Sequence, residues 1–188
     1  MATTALQEAM DTSREANPEP QVISAVFNAE KTISQMSPED FQWLRNQMAA
    51  TPQDGFYHLW CGLVWLHRKK YADALAQFQR AIHQGCNHWR VGWYLAKAAG
   101  GCGNLQLVDQ ACTAVLSANP NFWFAREYPK HARGYYSQMN QDKFIEKFFR
   151  NQAPCSRVFV EVGAFDGVHY SNVRRLHEKY GWRGLSIE

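Results

Sequence analysis

Apolar positions recur along most of this chain at helical spacing, and near its end they alternate as in a strand. Met1 to Pro20 is polar and alanine-rich and ends in Asn-Pro-Glu-Pro, so a disordered or frayed tail is expected there. Val22, Ile23, Val26, Phe27 and Ile33 then predict a helix over 21–35. Ser37-Pro38-Glu39-Asp40 reads as a helix start, with a Ser cap, proline at the first position and acids in the first turn. Phe41, Leu44 and Met48 mark its buried stripe, and Thr51-Pro52 ends it. Farther on, Ser137 to Phe149 predicts an amphipathic helix with Phe144, Ile145, Phe148 and Phe149 on its apolar face. Val158 to Val162 reads as a buried strand. After Gly163 and Gly167 a helical pattern begins at Ser171, a cap, with Val173, Leu176 and Tyr180 on one face, and Gly181 stops it. Leu185-Ser186-Ile187-Glu188 is a short second strand ending in an acid. Between these regions, 126–136 carries Pro129 and Gly134 and is expected to be a linker.

The middle of the chain repeats. Gly62, Trp65, Tyr71, Ala74, Phe78 and Ala81 fit the small and aromatic positions of a tetratricopeptide repeat, whose period is 34 residues. One period beyond Gly62 stands Ala96; beyond Tyr71, Leu105; beyond Ala74, Val108; beyond Ala81, Val115. Pro52 and Pro120 close repeats, with Cys86 between them in the same phase. A helical region over 21–125 is therefore expected, with repeats at 55–86 and 89–120 and a degenerate one at 21–52. The small residues let paired helices approach, while Tyr71 and Phe78 fill the seam. Two readings of this scaffold stand open: a concave groove for a peptide or partner domain, or a packing support for the carboxyl-terminal segment. No row of Lys, Arg or Asn marks a clamp for a peptide carboxylate. Trp60, Trp65, Trp89, Trp93 and Trp123 are expected mostly in the core, with one or two as exposed anchors.

Candidate chemistry gathers at the glycine turn. Strand, glycine turn, helix is how α/β domains bring backbone close to a ligand at the carboxyl end of a strand. Gly163 and Gly167 allow that approach and tolerate positive φ. A dinucleotide turn would carry G-x-G-x-x-G, with bare N–H groups for a pyrophosphate. Here Gly163-Ala164-Phe165-Asp166-Gly167 has Glu161 just before it and Asp166 inside it. Two carboxylates repel phosphate but suit a ligand with an ammonium, a sulfonium and ribose hydroxyls, such as S-adenosylmethionine. A further acid at the end of the next strand, about 20 residues on, would accept the ribose hydroxyl hydrogens. Glu188 stands at roughly that distance.

Taken together, Ser137-Gln138, Gln141-Asp142, Val160-Glu161-Val162-Gly163-Ala164-Phe165-Asp166-Gly167, Ser171-Asn172 and Gly181-Trp182-Arg183-Gly184-Leu185-Ser186-Ile187-Glu188 resemble the opening of an FkbM-type methyltransferase domain. That family's pattern starts with a Ser-Gln…Gln-Asp box and a Glu/Asp-x-Gly-Ala-x-Asp-Gly turn. A Ser-Asn pair and a Gly-Trp-x-Gly…Ile-Glu-Pro segment come next. The likeness covers residues 137–188 only, and the family's domain continues past the acid matched by Glu188. An incomplete start of such a domain, inactive alone, is the resulting expectation. The resemblance implies S-adenosylmethionine as cofactor, with Gly163, Ala164 and Gly167 against its methionine part. Glu161 and Asp166 would hold its positive end, directly or through water, and Glu188 its ribose diol, with Ser137, Gln138 and Asn172 lining the pocket. It also implies a hydroxyl acceptor on a small molecule or glycan. No catalytic residue is assigned, because the group that relieves the acceptor of its proton would come from later strands and loops. On physical grounds alone, Ser137 is a helix cap with an acid in the first turn.

The expected fold class is thus mainly α: tetratricopeptide-type helical repeats followed by the first strand–helix–strand of a Rossmann-like α/β methyltransferase domain. The competing reading is a repeat-based interaction protein with a non-catalytic α/β appendage. Composition narrows the classes further. The 188 residues suit one ordinary domain or two small ones, and 46% hydrophobic residues are ample for a core. A net charge of +3 without a long basic run gives no footing for nucleic acid. Cys61, Cys86, Cys102, Cys112 and Cys155 are odd in number and form no C-x-x-C pair, which points to a reducing compartment. No basic-then-apolar leader opens the chain, and the run Leu59 to Leu66 falls far short of the ~20 residues that span a bilayer. A cytoplasmic protein without membrane contact is expected. His83, Cys86 and His88 match no zinc spacing and read as turn residues, so no metal is assigned. Arg126, Lys130, His131 and Arg133 read as a solvated linker rather than a phosphate site, and Cys155 as a loop thiol.

Overall fold

A computed structural model describes Ile33, 36–149, Asn151, Ala153, 156–164, 166–167 and 170–188. The expectations for the 1–20 tail, for the 21–35 helix apart from Ile33, and for Cys155 lie outside these residues. Among the described residues the chain is mainly helical, with eight helices and two short parallel strands. It divides into two units, one reaching to Arg126 and the other spanning Glu127–Glu188.

The first unit is a series of helices, α1 (Pro38–Ala50), α2 (Gly55–His67), α3 (Tyr71–His83), α4 (Trp89–Gly101) and α5 (Leu105–Ala118), each packed on the next. The pair α4–α5 begins 34 residues after the pair α2–α3 at both helices, and α6 (Trp123–Ala132) opens another 34 residues after α4. Local chemistry sets the starts. Asp40 N donates to Ser37 Oγ (3.1 Å) and Ser37 N to Asp40 Oδ2 (3.2 Å), a reciprocal cap that satisfies two otherwise orphaned donors. Asp54 Oδ1 likewise accepts from Phe56 N, and Asn104 Oδ1 from Leu107 N. Leu44, Val64, Ala74, Phe78, Ala81, Ala96, Val108 and Val115 form the buried core. The helices meet so closely that a Cβ on Gly62 would lie 2.6 Å from the Phe78 ring, and one on Gly101 would lie 2.2 Å from the Tyr71 ring. Burial pushes the Cys61 thiol up to about 12 and the Cys112 thiol up to about 11, so both stay protonated as small apolar groups.

The second unit begins inside α6, which runs through Pro129 to Ala132, so 126–136 is not the plain linker expected. Proline removes its own donor and its ring crowds the carbonyl four residues back. The chain beyond it still closes, with Arg133 N on Lys130 O (3.1 Å) and Gly134 N on His131 O (2.8 Å), before Gly134 stops it at φ +74°. Then come α7 (Gln141–Phe149), β1 (Val158–Val162), α8 (Arg174–Tyr180) and β2 (Arg183–Ile187). The strands pair in parallel from Val158↔Arg183 to Val162↔Ile187. A Cβ on Gly184 would sit 2.1 Å from Phe159 O, so only glycine permits that pairing. Gly181 ends α8 at φ +68°, in the left-handed conformation that glycine adopts without a Cβ clash.

Two expectations from the sequence are reversed in the second unit. β1 is not a buried strand: Val158, Val160 and Val162 are 68–78% exposed, and Leu185 and Ile187 of β2 lie beside them on the same open face. The predicted helix over 137–149 starts only at Gln141, and it is inverted. Phe144 and Phe148 are more than 60% exposed, whereas Asp142 and Glu146 are buried. Those carboxylates go inside because α8 and the chain before α7 supply enough donors to replace water. No described helix is long and apolar enough to cross a membrane.

Candidate functional site

The glycine turn leaves β1 with Gly163 and Gly167 both at φ +71°. Among the described residues a Cβ on either would meet nothing within 4 Å, so glycine is required there by the backbone angle. Gly163 N (2.8 Å) and Ala164 N (3.2 Å) both donate to Ile187 O, and Gly167 N closes the turn on Ala164 O (2.8 Å). These bonds set the turn against the last residue of β2, immediately before Glu188. Gly163, Ala164 and Glu188 therefore come together at the carboxyl ends of two adjacent parallel strands, where open α/β sheets bind ligands. Asp166 and Glu188 are exposed.

Glu161 is placed differently from its expected role at a ligand's positive end. It is 7% exposed, and both oxygens serve the chain itself: Oε2 accepts from Ser171 Oγ (2.9 Å) and Oε1 from Asn172 N (2.6 Å). The helix expected from Ser171 begins only at Arg174, with Val173 rather than Ser171 at the cap position; Ser171 Oγ accepts from Val173 N (3.3 Å) and Arg174 N (3.0 Å) just before it and is anchored to the strand by the Glu161 carboxylate. Asn172 Oδ1 is buried without a hydrogen-bond partner among the described residues. Ser137 is fully buried. Its Oγ donates to Asp142 Oδ1 (2.6 Å) and accepts from Asp142 N (3.2 Å), while Asp142 Oδ2 accepts from Ser137 N (3.1 Å). The Ser-Gln…Gln-Asp box thus closes on itself as a helix start. Gln138 is exposed, and its carbonyl and that of Ser137 accept from Lys130 Nζ, which also pairs with Glu127. A cleft of about 830 Å³ opens between α8 and the sheet, lined by Phe159, Gly167, Ser171, Arg174, Arg183 and Ser186.

The polar centre of this unit is one that sequence reasoning passed over. Glu146 is buried and accepts from Arg175 Nε (2.7 Å) and Nη2 (3.2 Å), Lys179 Nζ (2.9 Å), Tyr135 OH (3.0 Å) and Tyr180 OH (2.5 Å). Burial opposes its ionisation, but the hydrogen bonds from Arg175, Tyr180, Lys179 and Tyr135 outweigh that and hold the carboxyl well below the usual range. Arg175 also donates to Arg133 O (2.8 Å) and lies 3.9 Å over the Tyr135 ring. One guanidinium thereby ties α7, α8 and the end of α6 together. A signal existed: Asp142 and Glu146 are four apart on one helix, and Arg175 and Lys179 four apart on another, so each pair shares a face. Among the described residues no group of three or more His, Cys, Asp or Glu is placed to hold a metal ion.

No protein-family model matches the chain, and no curated protein or solved structure is significantly similar to it.

Proposed function

We propose that residues 137–188 form part of an S-adenosylmethionine site of a methyltransferase with a Rossmann-like domain, and that the helices before them are tetratricopeptide-type repeats that hold a partner or substrate. One observation carries the reading: the paired bonds from Gly163 N and Ala164 N to Ile187 O, which bring a glycine turn beside Glu188 at the carboxyl edge of a parallel pair. The residues present fit such a cofactor. Gly163 and Gly167 put no side chain of their own between a ligand and the backbone, and Asp166 and Glu188 are exposed acceptors suited to an ammonium and to ribose hydroxyls. Glu161 acts on the ligand only indirectly, by fixing the segment that returns from the turn into α8. When bound, the cofactor supplies an electrophilic methyl group; the acceptor, by the family resemblance, is a hydroxyl on a small molecule or glycan.

A second reading has its own support. Glu161 and Ser137, two of the residues assigned to the pocket, are engaged within the chain, which suits a non-catalytic α/β appendage on a repeat-type interaction module. Isothermal calorimetry with S-adenosylmethionine on the full chain separates them. Binding that is lost in Glu188→Ala and Gly163→Val, and kept in Glu178→Ala, is the expected result. A folded parent protein that takes up no cofactor removes the first reading.

A further inference from the structure

The first unit carries an aromatic patch for which the cofactor reading has no use. Phe122 contacts Trp89 (4.8 Å between ring centroids), Trp93 (5.2 Å) and Phe124 (5.5 Å), and Phe124 lies against Trp123 (4.1 Å) and Trp93 (6.5 Å). Five rings thus form one connected surface. Trp123 and Phe124 are 45% and 47% exposed; Trp123 is one of the exposed anchors expected, whereas of the tryptophans expected in the core only Trp60 is buried and Trp65, Trp89 and Trp93 are half-buried. A helical unit with a well-filled core gains nothing by leaving two large rings half in water, and exposed apolar patches of this kind mark interaction sites. Arginines flank the rings. The Arg90 guanidinium stands 5.0 Å over the Trp89 ring, and Arg126 donates to Pro120 O at 3.3 Å. Tryptophan and arginine are the residue types that dominate binding energy at protein interfaces.

Charge selects the partner. Between Asp73 and Glu127 the only acidic residue is Asp109, whereas Arg80, Arg90, Lys97 and Arg126 are cationic; α4 itself has no acid at all. With the bounding acids counted, 73–127 still carries +1, and the two charged residues seen beside the rings, Arg90 and Arg126, are both cationic. The two exposed rings, Trp123 and Phe124, stack on each other at 27°, and Phe122 meets Phe124 at 46° and Trp93 at 79°, so the five offer one continuous apolar surface. From these observations we infer that the patch formed by Trp89, Trp93, Phe122, Trp123 and Phe124 docks an acidic protein segment that presents apolar side chains between its carboxylates. The inference rests on the helical series being a binding scaffold, and it is independent of the cofactor site.

The test uses the full chain and a fluorescein-labelled peptide of alternating Glu and Leu with a central Phe, beside its Lys-for-Glu counterpart, read by fluorescence anisotropy. The acidic peptide should bind and weaken with added salt, and the basic one should not. Trp123→Ala and Arg126→Glu should each weaken binding at least about tenfold, since both side chains are exposed and their loss leaves the fold intact. Thermal melts check that intactness, and unchanged S-adenosylmethionine binding in Trp123→Ala keeps this result separate from the cofactor reading. No binding of the acidic peptide, equal affinity for both peptides, or indifference to Trp123→Ala overturns the inference. So does tighter binding of an oligothymidylate, or a self-associating chain that Trp123→Ala turns into a monomer in sedimentation.

Discussion

Replacing Glu146 by glutamine keeps the volume of the side chain and removes its charge. The parent carboxylate and the Arg175 side chain are only 10% and 11% exposed, so the substitution leaves a guanidinium largely buried without its counter-ion. Removing one partner of a buried ion pair costs about 3–5 kcal/mol. The lower end applies here, because the Lys179 side chain is 50% exposed and regains its hydration. A unit the size of Glu127–Glu188 has only about 3–9 kcal/mol to lose, at the usual stability per residue. A loss of ~3 kcal/mol corresponds to opening that is roughly a hundredfold more frequent. Amide hydrogen exchange read by mass spectrometry reports it peptide by peptide. Exchange should accelerate across α7, α8 and the two strands, and stay unchanged in α2–α5, which belong to the other unit. Tyr180→Phe, which removes one donor and leaves the ion pair, should cost only about 1 kcal/mol. The pH dependence has a fixed sign. Because the folded carboxyl titrates below its ordinary value of 4.5, its contribution is fully present above that pH and falls away as pH drops toward the folded value. The gap between parent and Glu146→Gln should therefore close in acid. Less than about a threefold change in exchange, or an equal change in α2–α5, would refute the idea that this cluster holds the second unit together.

Packing sets two further outcomes. Gly62→Ala should destabilise the first unit by about 1–3 kcal/mol in urea titrations followed by tryptophan fluorescence, although alanine is the better helix former. The added methyl would stand 2.6 Å from the ring of fully buried Phe78, and a second change, Phe78→Leu, should restore part of the loss. Val160→Lys should change stability in a thermal melt by no more than about 0.5 kcal/mol, because that side chain is 68% exposed; a cost of several kcal/mol would mean that the strand face is covered.

The parts of this protein that could be read from its sequence are those whose partners are near in the chain. The Ser37 cap depends on Asp40, three residues away, and is written in Ser-Pro-Glu-Asp. Gly181 and Gly163 take positive φ where a helix stops and a turn begins, again a local demand. The spacing of helix starts matches the periodicity seen in Gly62, Tyr71 and Ala74. Reading failed where two faces of one element competed. In α7 four apolar residues seemed the inner face, yet Asp142 and Glu146 took it. Glu161, expected at the positive end of a cofactor directly or through water, has its oxygens on Ser171 Oγ and Asn172 N, which stand 10 and 11 residues farther along the chain.

Sequence alone determined both ends of α1, both ends of β1, the glycine stop of α8, the 34-residue phase of the helix pairs, and the glycine turn beside an acid-ended strand. Those features rest on hydrogen bonds and steric limits within a few residues, so composition at fixed offsets is enough to specify them. Only the tertiary structure decided which side of α7 is buried, that α6 runs through Pro129, and that Glu161 anchors a loop. A carboxylate enters a protein interior only when donors replace its water, and for Glu146 the donors on α8 come from residues 29 to 34 positions away. No local pattern encodes that encounter; the fold that brings α8 onto α7 does.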